Sequence, residues 1–164
     1  MSISFIRIDD RIIHGQTCTR WALEYPCDGI IAVNNKAAET PVLKAAYKSA
    51  SGKKTFVWTK DEFRQKAQKV LDSKDRYFLI TRDPVDMAEL LVEFGFQPGL
   101  KTVIVGPCSE RPGAVRLGNN QSITRAEAEA FECLMKAGYT IEFALVKETA
   151  IGNWTKFRGQ FGFQ

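Results

Sequence analysis

The feature that most constrains the fold is the alternation of short apolar runs with segments that carry helix start signals. The apolar runs are rich in β-branched residues, which is typical of strands buried on both faces of a parallel sheet. The predicted strands are residues 3–8, 29–33, 55–58, 77–80, 102–105 and 140–146.

Helix start signals stand between these runs. Thr59 and Glu62 have the spacing of a capping box, in which each side chain satisfies a free backbone donor of the other, and the same residue types recur at 124 and 127. Asp83 followed by Pro84 combines a good cap with a proline at the first helical position. We therefore predict helices over residues 16–24 and 41–50 and helices that begin after 59, 83 and 124.

The helix start at Asp83 and Pro84 is followed by apolar residues at helical spacing. Met87, Leu90, Leu91 and Phe94 should form one buried face, and Gly95 should end the helix.

Strands that alternate with helices predict an α/β fold, with a mostly parallel open sheet of six to seven strands and helices on both faces. We expect one domain over residues 1–164. The stretch 106–121 is rich in glycine, proline and asparagine and predicts a loop with a small hairpin. The last residues, 149–164, are aromatic and basic without periodicity. They fit either an arm packed on its own domain or a contact with a partner.

Composition excludes several classes of protein. No apolar run approaches the roughly 20 residues that span a bilayer, and no secretory signal is visible, so a cytoplasmic location is expected. Cys18, Cys27, Cys108 and Cys133 show no paired spacing, and the chain has a single histidine, which predicts reduced thiols and no zinc site. A net charge of +4 without basic runs argues against nucleic acid as a partner.

The loop after the first strand carries most of the candidate chemistry. Ligands of open parallel sheets bind beyond the carboxyl ends of the strands, and here that edge begins with the run RIDDRIIHGQ at residues 7–16. A neutral imidazole, as in His14, is a good nucleophile, and an aspartate can fix which ring nitrogen holds its proton. Arg11 offers donors matched to phosphate oxygens, and the amides around Gly15 at a helix start form an anion site.

Taken from the residues alone, two interpretations of this loop remain open. His14 is either a nucleophile in an anion site or an ordinary hydrogen-bonded histidine beside surface ion pairs. A histidine phosphatase is excluded, because that chemistry needs a second histidine.

The run from Arg7 to Gln16, followed by Trp21, resembles the active-site signature of the IIB components of the bacterial sugar phosphotransferase system, mannose/fructose/sorbose branch. Weaker similarities are Val33 with two asparagines, and the helix start at 83–84. The sequence departs from the family pattern at Asn35, at Thr17 and over residues 105–108.

The resemblance implies a phosphocarrier that needs no metal or cofactor. His14 would accept a phosphoryl group at Nδ1 from a phosphohistidine of the IIA component and pass it to a sugar held by the membrane components IIC and IID. Arg11, Asp10, Gly15 and Gln16 would form the phosphate site of the loop.

Thr81 or Arg82, from a neighbouring loop, would help to neutralise the transferred group. Arg7 is a weaker candidate, because strand alternation is expected to point it away. The protein would be cytoplasmic, associated with the permease, and able to form a homodimer. A non-catalytic anion-binding or regulatory module that uses the same loop is the alternative.

Overall fold

A computed structural model describes residues 2–14 and 20–164 and contains a seven-stranded, mostly parallel sheet. The strands of this sheet are β1 (Ile3–Ile8), β2 (Gly29–Val33), β3 (Lys54–Trp58), β4 (Tyr77–Thr81), β5 (Thr102–Val105), β8 (Thr140–Ala144) and β9 (Ala150–Asn153). Their order across the sheet is β3-β2-β4-β1-β5-β8-β9, and within this sheet only the pairing of β9 with β8 is antiparallel. A separate hairpin pairs β6 (Val115–Gly118) with β7 (Gln121–Ile123). The predicted fold class is confirmed, including the hairpin in the loop after β5.

Helices connect the strands on both faces of the sheet. They are α1 (Asn35–Glu39), α2 (Pro41–Ser51), α3 (Lys60–Asp72), α4 (Pro84–Ala88), α5 (Arg125–Lys136) and α6 (Trp154–Phe157). Both predicted capping boxes are present at α3 and α5, and Asp83 caps α4 by accepting from the Asp86 amide. The predicted helix over residues 16–24 lies partly outside the described residues, and 20–22 are helical.

The predicted apolar face of the α4 region is wrong at its last position. Residues Glu89–Glu93 continue α4 as a π-helical segment, whose wider turn shifts the side chains that follow. Phe94 is consequently 41% exposed, whereas Phe96, beyond Gly95, is buried against Phe63 with ring centroids 4.9 Å apart.

Two apolar cores cover the two faces of the sheet. The larger contains Phe63, Leu90 and Phe131 from the helical segments between Lys60 and Lys136, together with alternate strand residues. The smaller lies on the opposite face and contains Phe5, Trp21 and neighbouring strand residues. The described residues contain no helix with the length and apolar character needed to cross a membrane.

The C-terminal segment packs on its own domain. It forms the edge strand β9, helix α6 and a 3-10 turn, and it buries Trp154 against Phe131 with ring centroids 5.1 Å apart. The Trp154 indole donates to Glu132, which also pairs with Arg158. Of the two interpretations of this segment, packing on the domain is therefore the one that the structure shows.

The sheet aligns the ends of its central strands. Ile8 is in register with Thr81 of β4 on one side and with Val105 of β5 on the other. The connection after β1 runs to β2 in one half of the sheet, whereas the connection after the adjacent β5 runs to β8 in the other half, so the two diverge beyond the carboxyl ends of these strands. The loop with His14 begins there.

Candidate functional site

The loop from Asp9 to His14 is fixed by backbone contacts and by two buried isoleucines. The Asp9 amide donates to the Thr81 carbonyl, and the Ile12 amide donates to the Asp9 carbonyl, which closes a turn. Ile12 has a φ of 60°, an unfavourable conformation for a β-branched residue. Ile12 and Ile13 are both buried in the smaller core. Their burial holds the strained turn in place and leaves Arg11 exposed and the His14 side chain 19% exposed.

The Asp9 carboxylate is the centre of the site. It is fully buried, and three donors from the described residues face it. Oδ1 accepts from the Arg11 amide at 2.9 Å, and Oδ2 lies 3.2 Å from Arg7 Nε and 3.1 Å from His14 Nε2. Burial alone would raise the pKa of the Asp9 carboxyl, but the hydrogen bond to His14, the charge of Arg7 and the Arg11 amide together hold this pKa below its usual value. Asp9 is therefore a carboxylate at neutral pH.

The neighbours of His14 decide which ring nitrogen carries the proton. Nε2 faces the Asp9 carboxylate and also lies 3.2 Å from Arg11 Nη2. A guanidinium can only donate, whereas a carboxylate can only accept. Because Asp9 is buried and fixed while Arg11 is exposed and can rotate, we assign the proton to Nε2. In the neutral ring, the lone pair then resides on Nδ1.

Arg7 belongs to the site, contrary to the expectation that strand alternation points it away. Its side chain is 1% exposed and reaches Asp9 from the same side of the chain, because residues two apart on an extended segment share a face. Its other donors reach the carbonyls of Ala144 at 3.3 Å and Leu145 at 3.0 Å. Its guanidinium also stacks over the Trp21 ring at 5.3 Å. Arg7 thus connects the His14 loop to the end of β8.

Asp10 contacts a different part of the structure from Asp9, which is the aspartate at His14. Its amide donates to the Pro107 carbonyl, and its carboxylate accepts from both the amide and the hydroxyl of Ser109. Asp10 therefore joins the His14 loop to the loop after β5, which is the region where the sequence departs from the family pattern. That Asp10 contributes directly to a phosphate site stays a prediction.

The structure separates the two candidates that follow β4. Thr81 is fully buried, and its hydroxyl donates to the Asp83 carbonyl at 2.8 Å. Arg82 is exposed and lines a cavity of about 210 Å³ together with Asp10, Ser109 and Arg111. Gly15 and Gln16, both predicted site residues, lie outside the described residues.

Asp9 is the candidate site residue that the sequence interpretation missed. The period of two along an extended chain placed Arg7 and Asp9 on one side and Asp10 on the other. Applied to Asp9 and Asp10, this alternation could have identified Asp9 as the aspartate that shares a side with Arg7.

A histidine held between a buried carboxylate and an arginine, on the loop after the central strand of a parallel sheet, defines an α/β protein with a candidate phosphoryl-transfer site. The sequence model of the family described as PTS system sorbose subfamily IIB component matches residues 3–163. The chain belongs to this family of sugar phosphotransferase system components.

Characterised relatives fall in the same system. The chain is 31% identical over 144 residues to the PTS system mannose-specific EIIAB component of Escherichia coli (strain K12), covering 87% of this chain and 44% of that protein. The chain thus spans less than half the length of this relative. It is 30% identical over 154 residues to the PTS system fructose-specific EIIB component of Bacillus subtilis (strain 168), covering 87% of this chain and 86% of that one.

Solved structures share the fold over almost the whole chain. The IIBSor domain of the sorbose permease from Klebsiella pneumoniae has a TM-score of 0.82 at 26% identity and covers 93% of both chains. A structure titled phosphoenolpyruvate-dependent phosphotransferase system has a TM-score of 0.84 at 26% identity, covering 98% of this chain and 99% of the other.

Proposed function

We propose that this protein is the IIB phosphocarrier of a sugar uptake system. His14 accepts a phosphoryl group from a phosphohistidine of the IIA component and passes it to a sugar during uptake. The observation that carries the proposal is the contact of Asp9 Oδ2 with His14 Nε2 at 3.1 Å, which fixes the ring for reaction at its other nitrogen. Membership of the family supports the same function.

The proposed step is an in-line exchange between two imidazoles. The Nδ1 lone pair of His14 forms a bond to phosphorus while the bond between phosphorus and the donor imidazole breaks. Phosphorylation at Nδ1 with a proton on Nε2 makes the ring cationic, and the Asp9 carboxylate stabilises this charge as it develops. Because the bonds formed and broken are of the same kind, the transfer is reversible.

Two arginines are the proposed partners of the phosphoryl oxygens. Arg11 lies at the imidazole, and Arg82 projects from the loop after β4 with no ion pair among residues 2–14 and 20–164. Planar guanidinium groups match phosphate oxygens and carry a permanent charge. Catalysis then consists mainly of positioning and charge stabilisation. We further propose that Gly15 and Gln16 provide backbone amides for the same group.

The proposed partners are the IIA component and the membrane components IIC and IID, which hold the sugar. The mannose-specific relative is named as an EIIAB component, which joins an A and a B component in one protein. This supports a close functional link between this domain and a IIA component. The protein is accordingly proposed to act in the cytoplasm at the permease, as a single domain over residues 1–164.

The test is phosphoryl transfer from the phosphorylated IIA component, supplied with the general components of the system and ³²P-labelled phosphoenolpyruvate. The wild type should gain acid-labile, base-stable label, and His14→Ala should gain none while keeping its circular dichroism spectrum. Label that persists in His14→Ala would show that another residue accepts the group. Saturable phosphate binding without covalent label would favour the non-catalytic anion-binding alternative.

A further inference from the structure

A second cavity of about 250 Å³ lies beside the edge strand β3, between the sheet and helix α3. Its floor is aromatic and contains Phe56 and Trp58 of β3 and Tyr77 of β4. The Phe56 and Trp58 rings stack with centroids 5.1 Å apart, and Tyr77 meets Phe56 edge-on. The described residues that line this cavity include none from the His14 loop or from the loops that contact it.

Helix α3 leaves part of the edge strand β3 uncovered beside the cavity. Its buried residues Phe63, Ala67 and Val70 belong to the larger core, whereas Phe56 on the edge strand is only partly covered. Val70 forms the inner wall of the cavity. The remaining gap is apolar at its base and open at its rim.

Two lysines form the rim of the cavity, and the charged residues that line it are all positive. Lys66 and Lys69 line it, and Lys66 Nζ lies 5.0 Å from the centroid of the Trp58 ring. Lys66 forms a long, solvent-exposed ion pair with Glu62, at 4.0 Å, and Lys69 has no ion pair within the described parts of the chain. Asp75, close to Tyr77, is already paired with Lys54 at 2.6 Å. No carboxylate is found among the described residues that line the cavity.

We propose that this cavity binds a small amphipathic anion, namely an aromatic or branched apolar group that carries a single carboxylate. The apolar group fills the floor over Phe56, Trp58 and Tyr77, and the carboxylate meets Lys66 and Lys69 at the rim. The size fits this class, because a cavity of roughly 150 Å³ holds benzene and one of 250 Å³ has room for a ring with a short acidic chain. The site is independent of phosphoryl transfer at His14.

The first experiment separates the apolar group from the charge. The ¹⁵N-labelled protein is titrated at low salt with 3-phenylpropionate, with the uncharged analogue 3-phenylpropan-1-ol, and with acetate. We expect saturable shifts of amide signals around Phe56, Val70 and Tyr77 with both aromatic compounds. The anion should bind about two- to fivefold more tightly than the alcohol, a difference typical of an exposed ion pair, and lose this advantage at high salt. Acetate should leave these signals unchanged.

The second experiment uses lysine variants at the surface and one variant that fills the cavity from a core position. Lys66→Gln and Lys69→Gln should each weaken binding of 3-phenylpropionate about twofold and leave the alcohol unchanged. Lys48→Gln, an exposed lysine on α2 outside the cavity, should change neither. Val70→Phe fills the cavity and should abolish binding of both compounds, with its melting temperature measured in parallel.

Two results would overturn the proposal. One is the lack of saturable shifts around the cavity with any compound. The other is equal affinity for the acid and the alcohol, unaffected by either lysine substitution. The latter would mean that the lysines only shield aromatic surface with their aliphatic stems.

Discussion

The Asp9→Asn substitution tests the centre of the site, because it removes one charge and almost no volume. In the wild type the Asp9 carboxylate is the counter-charge of Arg7, and both side chains are essentially without solvent contact. An asparagine can still accept a hydrogen bond, but it removes the negative charge that faces the buried Arg7 guanidinium. In the proposed mechanism, it also removes the carboxylate that stabilises the imidazolium formed on phosphorylation of His14.

The expected magnitude follows from the burial of the pair. Removing one partner of a buried ion pair costs about 3–5 kcal/mol, which for a chain of this size lowers the melting temperature by roughly 10 °C. Asp10→Asn is the matched control, since the same change one residue along affects a carboxylate whose hydrogen-bond partner is Ser109 at an exposed position. It should cost less than about 1 kcal/mol.

Two assays follow the two effects. Urea denaturation measures the free energy of unfolding, and the rate of label transfer from the phosphorylated IIA component measures function. We expect Asp9→Asn to slow transfer by roughly 100- to 1,000-fold, in line with the loss of one charge-stabilising contact.

The pH dependence provides a further check on Asp9. Because the pKa of Asp9 lies below its usual value in the folded protein, its stabilisation is fully present above the unfolded value of about 3.9. It is lost as pH falls through the lowered folded pKa. The difference in stability between wild type and Asp9→Asn should therefore be constant near neutral pH and shrink in this acid range. If Asp9→Asn were as stable as Asp10→Asn and transferred phosphate at the wild-type rate, the assignment of Asp9 would be wrong.

Three further predictions concern the surroundings of the site and the core. Gly106→Ala should cost about 1–3 kcal/mol by thermal denaturation, because an added Cβ would lie 2.3 Å from Arg7 Nη2; an unchanged melting temperature would mean that Arg7 can move aside. Trp154→Ala should cost about 3–5 kcal/mol in urea denaturation, since the indole is 1% exposed in the core, and a loss below 1 kcal/mol would contradict that packing. Burial raises the pKa of the Cys108 thiol to about 12, so a maleimide at pH 8 should label Cys108 only after denaturation, as read by peptide mass spectrometry; rapid labelling of the folded protein would contradict this.

The strands could be predicted from the sequence because a parallel sheet buries both of their faces. Each strand then appears as a continuous apolar run, as in GIIAV of β2, which is buried at every position. Helices α3 and α5 could be predicted because their caps are local, with both partners of each box three residues apart. The π-helical segment Glu89–Glu93 could not be predicted, because a change in backbone hydrogen bonding does not alter the spacing of apolar residues in the sequence.

The site was only partly predictable for a different reason. His14 follows from the rule that places ligands beyond the carboxyl ends of parallel strands, together with the chemistry of the loop. The role of Arg7 depends on carbonyl groups at Ala144 and Leu145, which are distant in sequence and identical in chemistry to every other carbonyl. Every residue has a backbone carbonyl, so the sequence does not indicate which carbonyls accept from the Arg7 side chain. Only the folded structure shows these contacts.

The contacts of Arg7 have a consequence for synthesis on the ribosome. Its carbonyl partners lie 137 and 138 residues further along the chain, so a nascent polypeptide must extend through Leu145 before the arginine can be seated. Until then, Asp9 lacks the fixed cation that holds it against the imidazole. Incomplete chains therefore carry His14 without the support that orients it, and under the proposed function we expect competence for phosphorylation only when the last parallel strand has been added to the sheet.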